Sequence, residues 1–558
     1  MNLLSRFFVL LSACLFSISM QAAEILIDNV NGYTLDSSGK LIRFQAMLIA
    51  NGKVVSIGSS AELSARASKL VSYVDGKNKT LLPGLIDAHG HVMGLGTNIR
   101  QANLVGTQTL EAALNQVKNY AQANPNNKWV LGRGWNQVIW NLGRFPTAQE
   151  IDSVISDRPA LMERVDGHAT WANTAAMKIA GIDKNTKDPV GGHIERDADG
   201  NATGVFIDNA SSLLYSKVPQ PTKQELSEIL DSALVEMASV GLTSVGDPGI
   251  DKSTFDLYKQ YADQGKLSAR IYGMISGVGN EFTSISKDGP LIAYGNDFLT
   301  VRSVKLYADG ALGSRGAALH TPYSDQPENS GLLFNTDQQL TEMIAKGLSK
   351  GYQMNVHAIG DKANSQVLDS FEAAYKLHGR KDLRNRIEHA QVVPVSDIPR
   401  FIPLQLIASM QTTHATSDMN MAEDRIGAER MKGAYAWQLF LKQGTRIAGG
   451  SDFPVEFSNP FFGIHAAVTR QDADNKPAGG WYPDQAMSIT EAFRAFTLDA
   501  AYAAHADKTQ GTLEPGKWAD FILVDRDIFK VDPSQIRTTQ VLETWVGGKQ
   551  VFENKHVQ

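Results

Sequence analysis

Apolar and polar positions alternate in short stretches at both ends of the chain. Ile25-Leu26-Ile27, Ala46-Met47-Leu48-Ile49 and Val54-Val55-Ser56-Ile57 are separated by turn-forming residues such as Asn51-Gly52, which predicts brief β-strands over residues 24 to about 83. The same texture returns in Trp518-Ala519-Asp520-Phe521-Ile522-Leu523-Val524 and in Val541-Leu542-Glu543-Thr544-Trp545-Val546. Residues 24–83 and 511–558 are therefore expected to pair into one small composite β-sandwich. Between them, apolar strand-like runs close on a polar or charged residue and give way to helical spacing, as in a barrel of alternating strands and helices. The runs end near His89, Asp247, Ser276, Asp309, His357, His389, Gln411 and Asp452. Eight is the strand number of a TIM-type (β/α)8 barrel, placed here over residues 84–510. The first and second runs lie about 150 residues apart, more than a crossover helix needs. An insertion is therefore expected over about 97–222. Its aromatic and Gly-rich content, as in Gly132-Arg133-Gly134-Trp135-Asn136, suits a folded cap over the barrel mouth.

The first residues change the picture of where this α/β protein works. Arg6 precedes an apolar run from Phe7 to about Met20, and Gln21-Ala22-Ala23 follows. This layout predicts a secretory signal peptide over residues 1–23, and export to the periplasm or medium. The run is short for a membrane anchor. Leu11-Ser12-Ala13-Cys14 also fits a lipoprotein box, but the apolar stretch continues beyond it, so soluble export is the expectation. Cys14 is the only cysteine, and its removal would leave a mature chain without disulfides, stabilised by core burial. With 53 Lys and Arg against 59 Asp and Glu, and no basic cluster, nothing draws nucleic acid or anionic membrane. A small-molecule substrate is expected, with homo-oligomerisation left open.

Leu85-Ile86-Asp87-Ala88-His89-Gly90-His91 places two imidazoles at i and i+2, on one face of an extended strand. Alone, such a pair reads equally as exposed or core histidines. Later runs, however, end in Asn355-Val356-His357, Arg386-Ile387-Glu388-His389 and Gly450-Ser451-Asp452, and residues at the C-terminal ends of barrel strands converge. Several imidazoles with one carboxylate suit Zn²⁺, with Mn²⁺, Fe²⁺ or Co²⁺ as alternatives.

Leu82-Pro83-Gly84-Leu85-Ile86-Asp87-Ala88-His89-Gly90-His91 resembles the opening signature of the amidohydrolase superfamily. Five further blocks are similar to its YtcJ-like branch, which includes the N-substituted formamide deformylases: Asp166-Gly167-His168-Ala169-Thr170-Trp171, Val304-Lys305-Leu306-Tyr307-Ala308-Asp309-Gly310, His357-Ala358-Ile359-Gly360-Asp361, Arg386-Ile387-Glu388-His389-Ala390-Gln391 and Ser451-Asp452-Phe453-Pro454-Val455. They run in family order over nearly the whole mature chain. The resemblance implies a barrel with a composite β-sandwich, a metal on His89, His91, His357 and His389, and Asp452 as catalytic carboxylate. It also implies a place for Lys305, as a carboxylated bridge between two metals or as a plain ion-paired lysine, so the metal count is one or two. A divalent cation lowers the pKa of bound water to about 7 and polarises the scissile carbonyl. Asp452 can then take the water's proton and pass it to the leaving atom.

Other residues carry two readings each. His168 could bind substrate from the cap or be satisfied by backbone, and Arg315 could clamp a substrate carbonyl or anchor a loop. Gln391, Gln411 and His414 could line the pocket or pack the core, and Trp135, Trp140 and Trp171 could form an apolar pocket wall or a core. The leading expectation is hydrolysis of a C–N bond in an amide, formamide or cyclic amide. The alternatives are ester, lactone or carbamate hydrolysis at the same site, or a non-catalytic periplasmic binding or regulatory protein. A degenerate site would have lost one of His89, His91, His357, His389 or Asp452, and all are present.

Overall fold

Strands of a parallel sheet covered on both sides are continuously apolar rather than alternating, and Leu242–Ile250 and Arg270–Ser276 are buried almost throughout. The computed structural model describes residues 24–165, 167–189 and 191–555; the expected export segment with Cys14, and Asp166, lie outside them. Its central sheet is parallel, in the order β1 (Leu85–Asp87), β2 (Leu242–Ile250), β3 (Arg270–Ser276), β4 (Leu299–Tyr307), β5 (Gln353–Ala358), β6 (Arg386–His389), β7 (Ile407–Gln411) and β8 (Ile447–Gly450). The last strand returns to the first. The Ala88 N–H donates to the Gly449 carbonyl at 2.9 Å, and the Asp452 N–H to the His89 carbonyl at 2.7 Å. Only glycine fits this join at Gly450, where a Cβ would stand 2.7 Å from Asp87 Oδ1 and 2.8 Å from the His89 nitrogen. The (β/α)8 barrel expected from the sequence is the fold.

Helices cover the outside. Lys223–Ser239 leads into β2; it begins with a capping box between Thr222 and Glu225 and buries Leu230, Ala233, Leu234, Met237 and Ala238 against the barrel. Before it lies the insertion, which carries a six-stranded sheet of its own running from Gly192–Arg196 at one edge to Ala102–Asn103 at the other. Both chain ends meet in one sheet, where Phe521–Val524 pairs antiparallel with Thr80–Pro83. That sheet packs on a second, containing Glu24–Asp28 and Ala46–Ala50, through Ile27, Met47, Ile49, Leu81, Phe521 and Leu523.

At the foot of the barrel, His505 Nε2 sits 3.0 Å from the Leu383 carbonyl oxygen, to which its N–H donates. Burial, with Arg302 and Arg384 nearby, lowers its pKa from 6.5 to about 4. The folded state therefore binds this proton less readily than the unfolded chain, and the associated stability is complete above pH 6.5 and lost as pH falls through about 4. The loss amounts to roughly 3 kcal/mol. His505→Asn, which suits the left-handed φ of 57° there, is expected to remove that acid-dependent part. Urea melts of parent and variant at pH 7 and pH 4.5 check it, and an unchanged stability gap between the two pH values would refute it.

Candidate metal centre

Two backbone departures turn side chains into the barrel mouth. In β6, alternation aims Arg386 and Glu388 inward and would aim His389 away, but the chain adopts φ values of 72° at His389 and 42° at Ala390. Asp452, just beyond β8, has φ of 60°. Left-handed backbone at non-glycine residues costs of order 1–3 kcal/mol and is held here by the surrounding strands. As a result, one ligand atom each from His89, His389 and Asp452 lies within 4.8 Å of the other two. All three residues are buried.

The proton placement around these atoms follows from their partners. His89 Nδ1 lies 2.5 Å from Glu388 Oε2 and donates to it, so Nε2 faces the centre as an acceptor. His389 Nδ1 lies 2.7 Å from Gln411 Oε1, which likewise turns an acceptor nitrogen inward. Asp452 Oδ1 stands 3.5 Å from His89 Nε2 and 3.1 Å from His91 Nε2, and has no hydrogen-bond partner. Acceptors facing one another across such gaps repel unless a cation lies between them, so these residues fit a divalent metal.

Glu388 is what fixes His89. Arg386 Nε approaches Glu388 Oε1 at 2.6 Å, and another guanidinium nitrogen reaches Glu388 Oε2, the Ala88 carbonyl and Ser409 Oγ, each at 2.8 Å. Burial would raise the Glu388 carboxyl, but Arg386 and His89 outweigh it and hold it far below the usual carboxylate range. Burial would also raise Asp452, but His91 above all, with His414 farther off, outweighs it and holds the carboxyl well below the usual carboxylate range. Lys305 is fully buried on β4 with Nζ 3.0 Å from His89 Nε2, and burial lowers its pKa to about 8.

These groups floor an open cavity of about 350 Å³, whose walls include Tyr307, Leu312, Ile359, Gln391, His414 and Asp418. The His357 ring also lines it, 4.6 Å from that of His389, with Nε2 turned 3.4 Å from both Asp309 Oδ1 and the Gly310 carbonyl. Three residues named from the sequence as substrate-binding are not among those lining this cavity. Trp135 is fully buried in the insertion's own core, its ring about 6 Å from those of Trp140 and Trp171 and its indole N–H donating to the Met162 carbonyl; it does not wall the cavity. Arg315 instead pairs with Asp325 at 2.8 Å, as a loop anchor. His168 is exposed on the insertion beside Asp208 at 2.8 Å, away from the cavity lining.

Glu388 and Arg386 were not singled out by sequence reasoning. The available signal was strand alternation in Arg386-Ile387-Glu388, which puts an acid and a base on the one inward face.

A parallel barrel that gathers imidazoles, a carboxylate and a buried lysine at the C-terminal ends of its strands has the architecture of a metal-dependent hydrolase. The amidohydrolase family model matches residues 72–552, and the chain belongs to that family. It is 35% identical to the Arabidopsis thaliana protein LONG AFTER FAR-RED 3, over 95% of this chain and 92% of the relative. It is 26% identical to the N-substituted formamide deformylase of Arthrobacter pascens, over 96% of this chain and 99% of the relative. A metal-dependent hydrolase from Pyrococcus horikoshii superposes with a TM-score of 0.76 at 26% identity, covering 92% of this chain and 99% of that one. The family resemblance in the sequence is thereby confirmed.

Proposed function

We propose that the protein is an exported hydrolase that cleaves a C–N bond of a small amide, formamide or cyclic amide. The observation that carries this reading is Asp452 Oδ1, ionised, without a hydrogen-bond partner and facing His89 and His91 at the floor of the cavity. His89, His91, His389 and Asp452, with His357 and Lys305 beside them, would hold the metal, for which this donor set favours Zn²⁺. When bound, such a cation polarises the scissile carbonyl and acidifies the attacking water. Asp452 takes the proton released by that water and delivers it to the departing nitrogen as the C–N bond breaks, giving an acid and an amine. Glu388 and Gln411 keep the imidazoles of His89 and His389 in one tautomer and orientation. The name of the deformylase relative supports the choice of bond. Export rests on the sequence pattern of residues 1–23, and a purified mature chain beginning just after Ala22 or Ala23 is its test.

The experiment is a screen of N-substituted formamides, amides and cyclic amides against esters and lactones, on protein of measured metal content. Amide turnover is expected, abolished by dialysis against a chelator and restored by Zn²⁺. Ester turnover without amide turnover would overturn the choice of bond, and activity that survives complete metal removal would overturn the mechanism. Elemental analysis together with the intact mass decides whether Lys305 is carboxylated between two ions.

A further inference from the structure

The helix Thr412–Asp418 starts directly after β7. His414 and Asp418 are four residues apart on it, so they share a face about 6 Å apart along the axis. Both line the catalytic cavity. His414 Nε2 lies 4.0 Å from Asp452 Oδ2, and Asp418 follows it by one helical turn.

Hydrolysis itself gives Asp418 no task, yet its carboxylate is held in place. Oδ2 accepts from Gln391 Nε2 at 3.0 Å and from the Tyr435 hydroxyl at 2.7 Å. Oδ1 takes no hydrogen bond among the described residues, and no Lys or Arg among them pairs with this carboxylate. Glu456, with Oε1 accepting from Ser417 Oγ at 2.6 Å, adds a second negative charge to the same side of the cavity. Apart from imidazoles, the one basic side chain in the lining is Lys305, which lies at the floor against His89. Two further polar atoms of the lining, Asp452 Oδ1 and His414 Nε2, have no hydrogen-bond partner. The lining also includes the apolar side chains of Leu312, Ile359 and Val455.

A carboxylate already oriented by two neutral donors, with no donor on its other oxygen, gains most from a cationic hydrogen-bond donor. We propose that the substrate is a cationic amide. Its ammonium or guanidinium group is bound by Asp418, a short apolar segment crosses the wall, and the scissile carbonyl lies at the floor. This inference rests on the hydrolase reading above and adds the substrate's charge to it.

The test uses isosteric pairs differing only in the distal group. N-formyl-agmatine, which carries a guanidinium, is compared with the analogue bearing a neutral urea in its place, on the metal-loaded full chain and on Asp418→Asn. The parent is expected to favour the guanidinium compound by about tenfold or more in kcat/KM, the scale of a charge-assisted hydrogen bond. In Asp418→Asn the preference should vanish, through KM of the charged compound, with the urea compound turned over as by the parent. Equal kcat/KM for the two compounds in the parent would overturn the proposal, and so would a preference that survives in the variant. Should Asp418→Asn fail to fold, Asp418→Ser takes its place; the parent comparison decides in either case. If neither compound is hydrolysed, protection of the parent against thermal unfolding by n-propylguanidinium but not by n-propanol, lost in the variant, would support the cation site while the hydrolase reading failed. Hydrolysis of both compounds at equal rates would leave that reading standing and refute the cation site.

Discussion

Asp452→Asn is expected to fold and melt as the parent does while losing about a thousandfold or more of kcat, within the range removed with a general acid–base group. The substitution keeps the size of the side chain and the backbone N–H that donates to the His89 carbonyl, so the β1–β8 join survives. It removes the only open carboxylate among the clustered ligand atoms. Asp452 also faces the proposed metal, so metal content must be measured alongside turnover. Loss of turnover at undiminished metal content isolates the proton-transfer role. Turnover within tenfold of the parent would remove Asp452 from the mechanism.

The second large effect is expected one layer down, at Glu388→Gln. Glu388 is buried, bonded both to His89 Nδ1 and to Arg386. Neutralising it leaves the Arg386 guanidinium charged and buried without its counterion, a change that costs about 3–5 kcal/mol. The amide can still accept from one of the two donors but sets its own N–H₂ against the other. The tautomer of His89 is then no longer fixed, so metal affinity is expected to fall by about 10–100-fold, the usual cost of losing a partner of a metal-binding imidazole. Denaturant melts and metal titration measure the two consequences separately. A variant with parental stability and parental metal affinity would show that the ion pair neither supports the barrel floor nor positions His89.

Much of this arrangement could be read in the sequence because barrel geometry converts strand endings into a site. The runs that close on His89, His389, Gln411 and Asp452 do so within two residues of the observed ends of β1, β6, β7 and β8. What alternation does not convey is the backbone reversal at His389 and Asp452, where left-handed φ values bring a side chain round to the inward face. Nor does alternation reveal that an inward acid such as Glu388 has found its base two residues earlier, in Arg386. Trp135 was misplaced for a related reason. An indole in a cap reads the same whether it faces substrate or other indoles, and here Trp140, Trp171 and Phe145 surround it. Arg315 kept two readings because Asp325, which neutralises it, arrives only after a loop that carries no regular pattern. Asp418 stayed hidden until the fold showed that Gln391 and Tyr435, from two other segments, hold it.

The sheet shared by the two chain ends also governs how the enzyme can be made. Thr80–Pro83 runs straight into β1, and its hydrogen-bonding neighbour Phe521–Val524 comes only after all eight barrel strands in the chain. The strand just before β1 thus keeps an open edge until the barrel sequence that separates it from its neighbour has been made. Closing that sheet therefore ties the entrance of the barrel to sequence that lies beyond its exit.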